Sequence, residues 1–266
     1  MTLTLKKAVA PDGAELAWTE EGCGEPLLLV AGQATGMSGW DPVVPGLARS
    51  FRVIRFDHRG IGASTEGRAE NYTTRAFAAD AVAVLDAAGV AKAHVYGHSM
   101  GGRVAQWMAV DFPARVASLV LAATSAGEAG GVGRDPSATA ALVSGDPARM
   151  APLFFSPAWA RDNPAAVAAF FRVQASAAVK SRHFRASRLH DAWDVLPSIQ
   201  APALIIHGSE DALSPVANAV MMAERIPGSQ LIQVDGGRHG LHLDDARVQT
   251  WIEDFLALAL PAGAAH

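Results

Sequence analysis

The sequence predicts an α/β fold with a mostly parallel sheet covered by helices on both faces. Short continuous apolar runs recur along the chain, and longer helical patterns separate them. Continuous rather than alternating apolar runs are typical of parallel strands buried on both faces. Half of the 266 residues are apolar and 18% are charged, so an ordinary buried core can form.

The predicted strands begin with a hairpin. Residues 4–8 and 14–19 alternate in polarity on either side of Pro11-Asp12-Gly13, which is a turn signal. Buried runs are predicted to form the remaining strands at 27–30, 51–56, 93–96, 116–123, 203–207 and 230–234. The predicted helices between them span 73–88, 101–110, 215–226 and 245–260, and the first of these begins at a Thr73 cap and stops at Gly89.

Residues 125–200 interrupt this alternation, because they contain Ala-rich helical patterns and no convincing buried strand. We interpret them as a helical cap inserted into a core formed by residues 1–124 and 201–266. Such a cap would cover the carboxyl edge of the sheet, where open α/β sheets bind ligands. Most cap aromatics are expected to attach the cap to the core, and Phe154 and Trp159 are expected to contact substrate.

Composition excludes several classes of function. The net charge of −4 offers no basic face for a nucleic-acid partner. Cys23 is the only cysteine, which rules out an internal disulfide and thiolate metal sites. The chain shows no readable signal peptide and no apolar stretch that would span a membrane. We therefore expect a cytoplasmic protein that acts on a small molecule, and a homo-oligomer is compatible with the sequence.

The strongest motif is Gly97-His98-Ser99-Met100-Gly101, which lies between a predicted strand and a predicted helix. A Gly-x-Ser-x-Gly turn in this setting places its serine at a strained corner above the sheet. The corner exposes the hydroxyl as a nucleophile. It also directs the backbone N–H of the following residue, Met100, towards a developing oxyanion.

A serine nucleophile needs a base, and the base needs an orienting acid. Asp211 follows the predicted strand 203–207 and is the chosen acid, with Glu210 as its rival. His239 lies on a glycine loop after the last strand and is the predicted base, with His242 as the competitor. A histidine on a flexible glycine loop at this position can reach over the edge of the sheet.

The loop after strand 27–30 is expected to complete the site. The backbone N–H of Gln33 is the candidate second oxyanion donor, and Gly32 and Trp40 of the same loop are expected to contact substrate. No cofactor is implied, since no phosphate-binding glycine loop occurs in a suitable context. No metal is implied either, because His239 and His242 lack a third ligand.

The order of these motifs resembles α/β-hydrolase-fold serine hydrolases over nearly the full length of the chain. Residues 99–107 are most similar to 3-oxoadipate enol-lactonases and related bacterial esterases. The resemblance implies that Asp57 and Arg59, in a loop similar to that family's, form a buried structural pair. One departure is Ala31-Gly32, where relatives often carry His-Gly.

The leading functional hypothesis is hydrolysis of a small carboxylic ester or lactone through an acyl-enzyme. The alternatives are cofactor-free haloperoxidase activity, C–C bond hydrolysis with the same triad, and a non-catalytic ligand-binding scaffold. Dehalogenases and epoxide hydrolases of this fold need a carboxylate where this chain has Ser99.

Three cap arginines, Arg182, Arg185 and Arg188, recur at three-residue spacing with no acid between them. On a helix they would lie near one another. One interpretation is a solvated helix face. The other is a site for a substrate carboxylate, to which arginine's planar fork can bind bidentately. Arg185 is the candidate substrate contact.

Overall fold

The computed structural model describes residues 4–70, 72–128, 130–172 and 174–259. Leu260, the last residue of the predicted terminal helix, lies outside them. None of the helices in these ranges is both long and apolar enough to span a membrane.

Within the described residues, eight strands form one sheet. They are β1 Lys6–Val9, β2 Glu15–Glu21, β3 Glu25–Val30, β4 Phe51–Phe56, β5 Ala93–His98, β6 Val116–Ala122, β7 Ala203–Gly208 and β8 Gln230–Val234. Their order is β1-β2-β4-β3-β5-β6-β7-β8. The β1–β2 and β2–β4 pairs are antiparallel, and every other pair is parallel. This confirms the predicted hairpin and the mostly parallel α/β sheet.

The strands have continuous apolar runs because both faces of the sheet are covered by buried cores. Successive residues of a strand face opposite sides. Leu28 and Val30 belong to the core on one side, and Leu27 and Leu29 belong to the core on the other. All four side chains are fully buried. Because both faces are covered, each strand needs apolar residues at every position.

Eleven α-helices surround the sheet in the described ranges. They are α1 Val44–Leu47, α2 Thr74–Ala87, α3 Met100–Asp111, α4 Pro136–Ser144, α5 Pro147–Phe154, α6 Pro157–Asp162, α7 Pro164–Phe171, α8 Ala177–Arg188, α9 Ala217–Arg225, α10 Leu241–Asp244 and α11 Ala246–Leu258. The predicted cap on α2 is present, since the Thr73 side chain accepts a hydrogen bond from the Ala76 N–H at 3.0 Å. The strand and helix ends differ from the predictions by only a few residues.

Helices α4 to α8 lie between β6 and β7, within residues 125–200. Two of them begin with an Asp-Pro pair, in which the aspartate caps the helix and proline occupies its first turn. The segment buries an apolar cluster of its own, which includes Phe154, Phe155 and Phe170. Leu213, from the loop after β7, belongs to the same cluster. The helices are therefore packed at the carboxyl edge of the sheet.

The prediction that Asp57 and Arg59 pair with each other is wrong, although both residues are buried. Asp57 accepts hydrogen bonds from the N–H groups of Met37, at 2.7 Å, and Ala63. Arg59 instead forms salt bridges with Asp12 and Asp80. The burial implied by the resemblance is present, but the acids that pair with Arg59 come from distant parts of the chain.

Candidate active site

Ser99 occupies a strained corner between β5 and α3. Its φ of 55° and ψ of −120° lie in a region that L-residues rarely adopt. Its backbone is fixed on both sides, because its N–H donates to the Ala122 carbonyl at 2.9 Å and its carbonyl accepts from the Thr124 hydroxyl at 2.7 Å. The corner directs the Ser99 hydroxyl out of the sheet.

The glycines around Ser99 are required by close backbone contacts. A Cβ added at Gly97 would lie 2.3 Å from the carbonyl oxygen of Gly101. A Cβ added at Gly101 would lie 1.9 Å from the carbonyl oxygen of Val30. The space between β3, β5 and α3 therefore accommodates hydrogen at both positions and no larger group.

The structure brings Ser99, His239 and Asp211 into one hydrogen-bonded chain. His239 Nδ1 lies 2.8 Å from Asp211 Oδ2, and His239 Nε2 lies 2.8 Å from Ser99 Oγ. A carboxylate accepts, so Nδ1–H donates to Asp211. This tautomer leaves Nε2 free to accept the Ser99 proton. Asp211 and His239 are both buried, so the contacts are shielded from water.

Asp211 is held as a carboxylate by its surroundings. Its Oδ1 accepts hydrogen bonds from the N–H groups of Leu213 and Ser214, both at 2.8 Å. Burial by itself would raise the pKa of this carboxyl. The electrostatic interaction with His239 and the hydrogen bonds from His207 and His239 outweigh burial and hold the pKa below its usual value.

The two alternative residues, Glu210 and His242, lie outside this hydrogen-bonded chain. The Glu210 side chain is largely exposed, and its nearest cation is Arg238 at 3.4 Å. His242 is buried against His98, with ring centroids 4.0 Å apart. Burial lowers the pKa of His242 well below its usual value, so this ring is neutral at physiological pH.

Two backbone N–H groups are available near Ser99. Neither Gln33 N nor Met100 N donates a hydrogen bond to any other described group. Met100 begins α3, where the first N–H groups of a helix have no internal partner. The Gln33 loop lies close by, since a Cβ added at neighbouring Gly32 would be 3.4 Å from Ser99 Cβ.

A narrow cavity of about 40 Å³ contains Ser99 and His239. Gly32 and Phe154, two of the predicted substrate contacts, line it together with Gln33. Phe154 also packs edge-on against His239, with ring centroids 5.2 Å apart. The insertion thus provides part of the wall beside the candidate nucleophile.

Three of the predicted substrate contacts do not line the cavities beside Ser99. Trp40 is buried in the core beneath the site, where its ring packs against Tyr96 at 4.9 Å. Trp159 stacks on Phe155 at 4.8 Å and lines none of the described cavities beside Ser99. Arg185 is exposed and is likewise absent from these linings. The aromatic rings serve packing, because they fill space between elements.

The three cap arginines lie on α8 in different surroundings. Arg182 forms a salt bridge with Glu66 and lies over the Tyr72 ring at 4.6 Å. Arg188 is exposed and lines a second cavity, of about 380 Å³, which adjoins the one at Ser99. The partner acid comes from a distant loop, so spacing along the helix gave no sign of it.

Sequence reasoning missed two arginines in the wall of the Ser99 cavity. Arg103 lies one helical turn after Ser99 on α3, and Arg134 lies in the loop before α4. The position of Arg103, four residues after the nucleophile on the same helix, was a usable signal. No sequence signal indicated Arg134, because its loop contains no periodic pattern.

Comparison with known proteins agrees with this architecture. Residues 25–183 match the family model described as the alpha/beta hydrolase fold. The chain belongs to the α/β-hydrolase family. The predicted fold class and family resemblance are thereby confirmed.

Several α/β hydrolases are similar to it over most of their length. A protein from Azorhizobium caulinodans, provisionally named carbamate hydrolase RutD, is 34% identical over 85% of this chain and 88% of its own. A thermophilic esterase structure from Thermogutta terrifontis has 27% identity and a TM-score of 0.81, covering 96% of this chain and 99% of that one. The enol-lactonase from Burkholderia xenovorans LB400 shares the fold, with 23% identity, a TM-score of 0.81 and coverage of 95% and 100%.

Proposed function

We propose that this α/β hydrolase cleaves a small carboxylic ester or lactone through a covalent acyl-enzyme on Ser99. The observation that carries the proposal is the continuous chain of 2.8 Å contacts from Ser99 Oγ through His239 to Asp211. A hydroxyl becomes nucleophilic only when a base removes its proton, and here the base is within hydrogen-bond distance and has the required tautomer.

In the first step Ser99 Oγ attacks the ester carbonyl while its proton passes to His239 Nε2. The negative charge of Asp211 stabilises the imidazolium that forms. The backbone N–H groups of Met100 and Gln33 donate to the developing oxyanion. Collapse of the tetrahedral intermediate breaks the bond to the leaving alcohol, which takes the proton from His239.

In the second step a water molecule repeats the sequence. His239 removes its proton as the oxygen attacks the acyl carbonyl. The proton then returns to Ser99 Oγ as the acid is released. A lactone follows the same path, except that its alcohol remains attached to the acyl group.

The similar proteins support this class of chemistry. The names of two of them refer to an esterase and an enol-lactonase, and a third name refers to a carbamate hydrolase. Esters, lactones and carbamates all present a carbonyl with a leaving group to the nucleophile. A substrate screen should therefore contain one series of each kind.

The test is covalent labelling together with turnover. A fluorophosphonate probe should label the wild-type protein at Ser99, and p-nitrophenyl acetate should be hydrolysed. Ser99→Ala should abolish labelling and reduce turnover by several orders of magnitude while circular dichroism stays unchanged. A wild-type protein that neither labels nor turns over any ester would be the outcome expected of a non-catalytic binding scaffold.

A further inference from the structure

The wall of the Ser99 cavity contains two arginines that take no part in the proposed ester hydrolysis. Arg103 and Arg134 both line this cavity, and both also line an adjoining cavity of about 380 Å³. No carboxylate of the described residues lies within 4.0 Å of either guanidinium. They are two partly buried positive charges without a directly bonded counter-ion.

Arg103 is bonded entirely to uncharged acceptors. It donates to the carbonyl and hydroxyl oxygens of Ser187, and to the hydroxyl of Ser125 at 2.8 Å. Burial lowers the pKa of Arg103 to about 10, and the neighbouring charge of Arg134 acts in the same direction. The side chain is still a cation at neutral pH, and its charge is not neutralised by these contacts.

Arg134 has most of its donors free. Its Nε donates to the Leu213 carbonyl at 2.9 Å. Its two terminal nitrogens donate to no acceptor in the described parts of the chain. Burial lowers the pKa of this guanidinium also. The free edge of a guanidinium presents two parallel N–H donors, which match the two oxygens of a carboxylate.

Two acids lie close enough to favour the charged state of these arginines. Asp211 is already engaged by His239 and by backbone N–H groups. Glu128 is exposed and is the one acid among the described lining residues of the adjoining cavity. A charge held partly out of water without a bonded partner is costly, and a bound anion would remove that cost.

The other neighbouring cavity is mostly apolar. Its volume is about 450 Å³, and it is lined by Met150, Phe170 and Phe171 among other apolar side chains, with Lys180 as the one charged residue of its described lining. It shares Gln33 and Phe154 with the Ser99 cavity. A molecule bound at Ser99 therefore has a cationic cavity and an apolar cavity within reach.

We propose that Arg103 and Arg134 form an anion subsite that binds a free carboxylate on the substrate, while the apolar cavity receives the remainder. The substrate class is then an acid that also carries one ester bond, such as a hemiester of a dicarboxylic acid with an apolar alcohol. The reaction on this substrate rests on the proposed function, whereas the anion subsite itself does not.

Two esters of equal acyl length test the subsite. Mono-p-nitrophenyl glutarate ends in a carboxylate and p-nitrophenyl valerate ends in a methyl group. The measured quantity is the ratio of their kcat/KM values after subtraction of spontaneous hydrolysis. We expect wild type to prefer the glutarate ester by about 10-fold or more, the effect of a charge-assisted hydrogen bond.

Substitutions of the arginines and of Glu128 are expected to change this kcat/KM ratio in opposite directions. Arg134→Gln should lower the ratio about 10-fold or more, and Arg103→Gln should lower it as well. Glu128→Gln should raise the ratio, because it removes the acid that competes for the same charge. Arg185→Gln removes an exposed arginine outside the cavities and serves as the matched control, with an unchanged ratio.

Failure of the anion subsite and failure of the proposed ester hydrolysis give different results. A wild-type ratio near one, or a ratio that Arg134→Gln leaves intact, overturns the subsite while ester hydrolysis stands. If neither ester is hydrolysed, the proposed function fails, and calorimetric binding of glutarate decides the subsite alone. Binding about 10-fold weaker in Arg134→Gln than in wild type supports it, and equal binding overturns it.

Discussion

His98 Nε2 donates a hydrogen bond to the backbone carbonyl of His239 at 2.7 Å. The donor precedes the candidate nucleophile by one residue, and the acceptor belongs to the candidate base. Burial lowers the pKa of His98 to about 3, so the ring is neutral and acts as a fixed donor. The bond connects the Ser99 corner to the loop that carries the imidazole.

We predict that His98→Leu lowers kcat for ester hydrolysis about 10-fold with little change in KM. The substitution leaves the buried His239 carbonyl without its partner, which allows the loop to shift. His98→Gln retains an N–H donor and should recover most of the lost kcat. Equal losses in both variants would assign the effect to packing of the ring, which lies 4.0 Å from His242, rather than to the bond.

Asp211→Asn should lower kcat by about 10⁴-fold, the size of loss expected when a triad loses its charge and its tautomer control. The asparagine amide can donate to His239 and so favour the wrong tautomer. Glu210→Gln is the neighbouring control and should be nearly silent, since Glu210 is directed to Arg238. Steady-state kinetics on p-nitrophenyl acetate would measure both, and a reversed pattern would mean that the acid is Glu210.

The sequence predicted the sheet and the order of the candidate triad because both depend on local patterns. Buried strands need continuous apolar residues, and the elbow needs glycine where the backbone of Gly101 meets that of Val30. The partners of Arg59 and Arg182 could not be predicted in the same way. Their acids, Asp80 and Glu66, lie on other elements, and only the three-dimensional packing brings them together.

The same limit applies to the predicted substrate contacts. An aromatic residue in a loop or cap looks the same in the sequence whether it fills a core or faces a ligand. Trp40 and Phe154 are both large aromatic residues, yet the first packs against Tyr96 in the core and the second packs beside His239. Which residue faces the cavity depends on how the insertion docks, and no periodicity encodes that.

Gly101→Ala should destabilise the protein and abolish ester hydrolysis. The added methyl carbon would lie 1.9 Å from the Val30 carbonyl oxygen and 2.7 Å from that of Ala31, so the elbow must move. Gly46→Ala is the matched control within helix α1, because its nearest contacts are at 3.8 Å. We expect it to be neutral or stabilising by about 0.5–1 kcal/mol. Thermal unfolding distinguishes the two, and an unchanged Tm in Gly101→Ala would contradict the close packing of the elbow.

The last prediction concerns Asp12, whose Oδ2 accepts hydrogen bonds from Arg59, at 2.7 Å, and from the Ala69 N–H. Burial would raise the pKa of this carboxyl, but the bond and charge of Arg59 and the N–H groups of Ala14 and Ala69 outweigh it. They lower the pKa from 3.8 to about 2. A carboxyl with a lowered pKa stabilises the fold above its unfolded-state value, and this stabilisation is lost as the pH falls towards the folded-state value.

Asp12→Asn should therefore reduce the free energy of unfolding at pH 7 by about 1 kcal/mol, a figure discounted for partial exposure of the pair. The difference from wild type should shrink as the pH falls below about 4, because the wild-type carboxyl then takes up a proton on unfolding. Urea unfolding at several pH values would measure it. Asp86→Asn, which removes an exposed partner of Arg115, is the control and should have little effect at any pH. A difference that stays constant down to pH 3 would show that Asp12 contributes through packing or turn geometry and not through its charge.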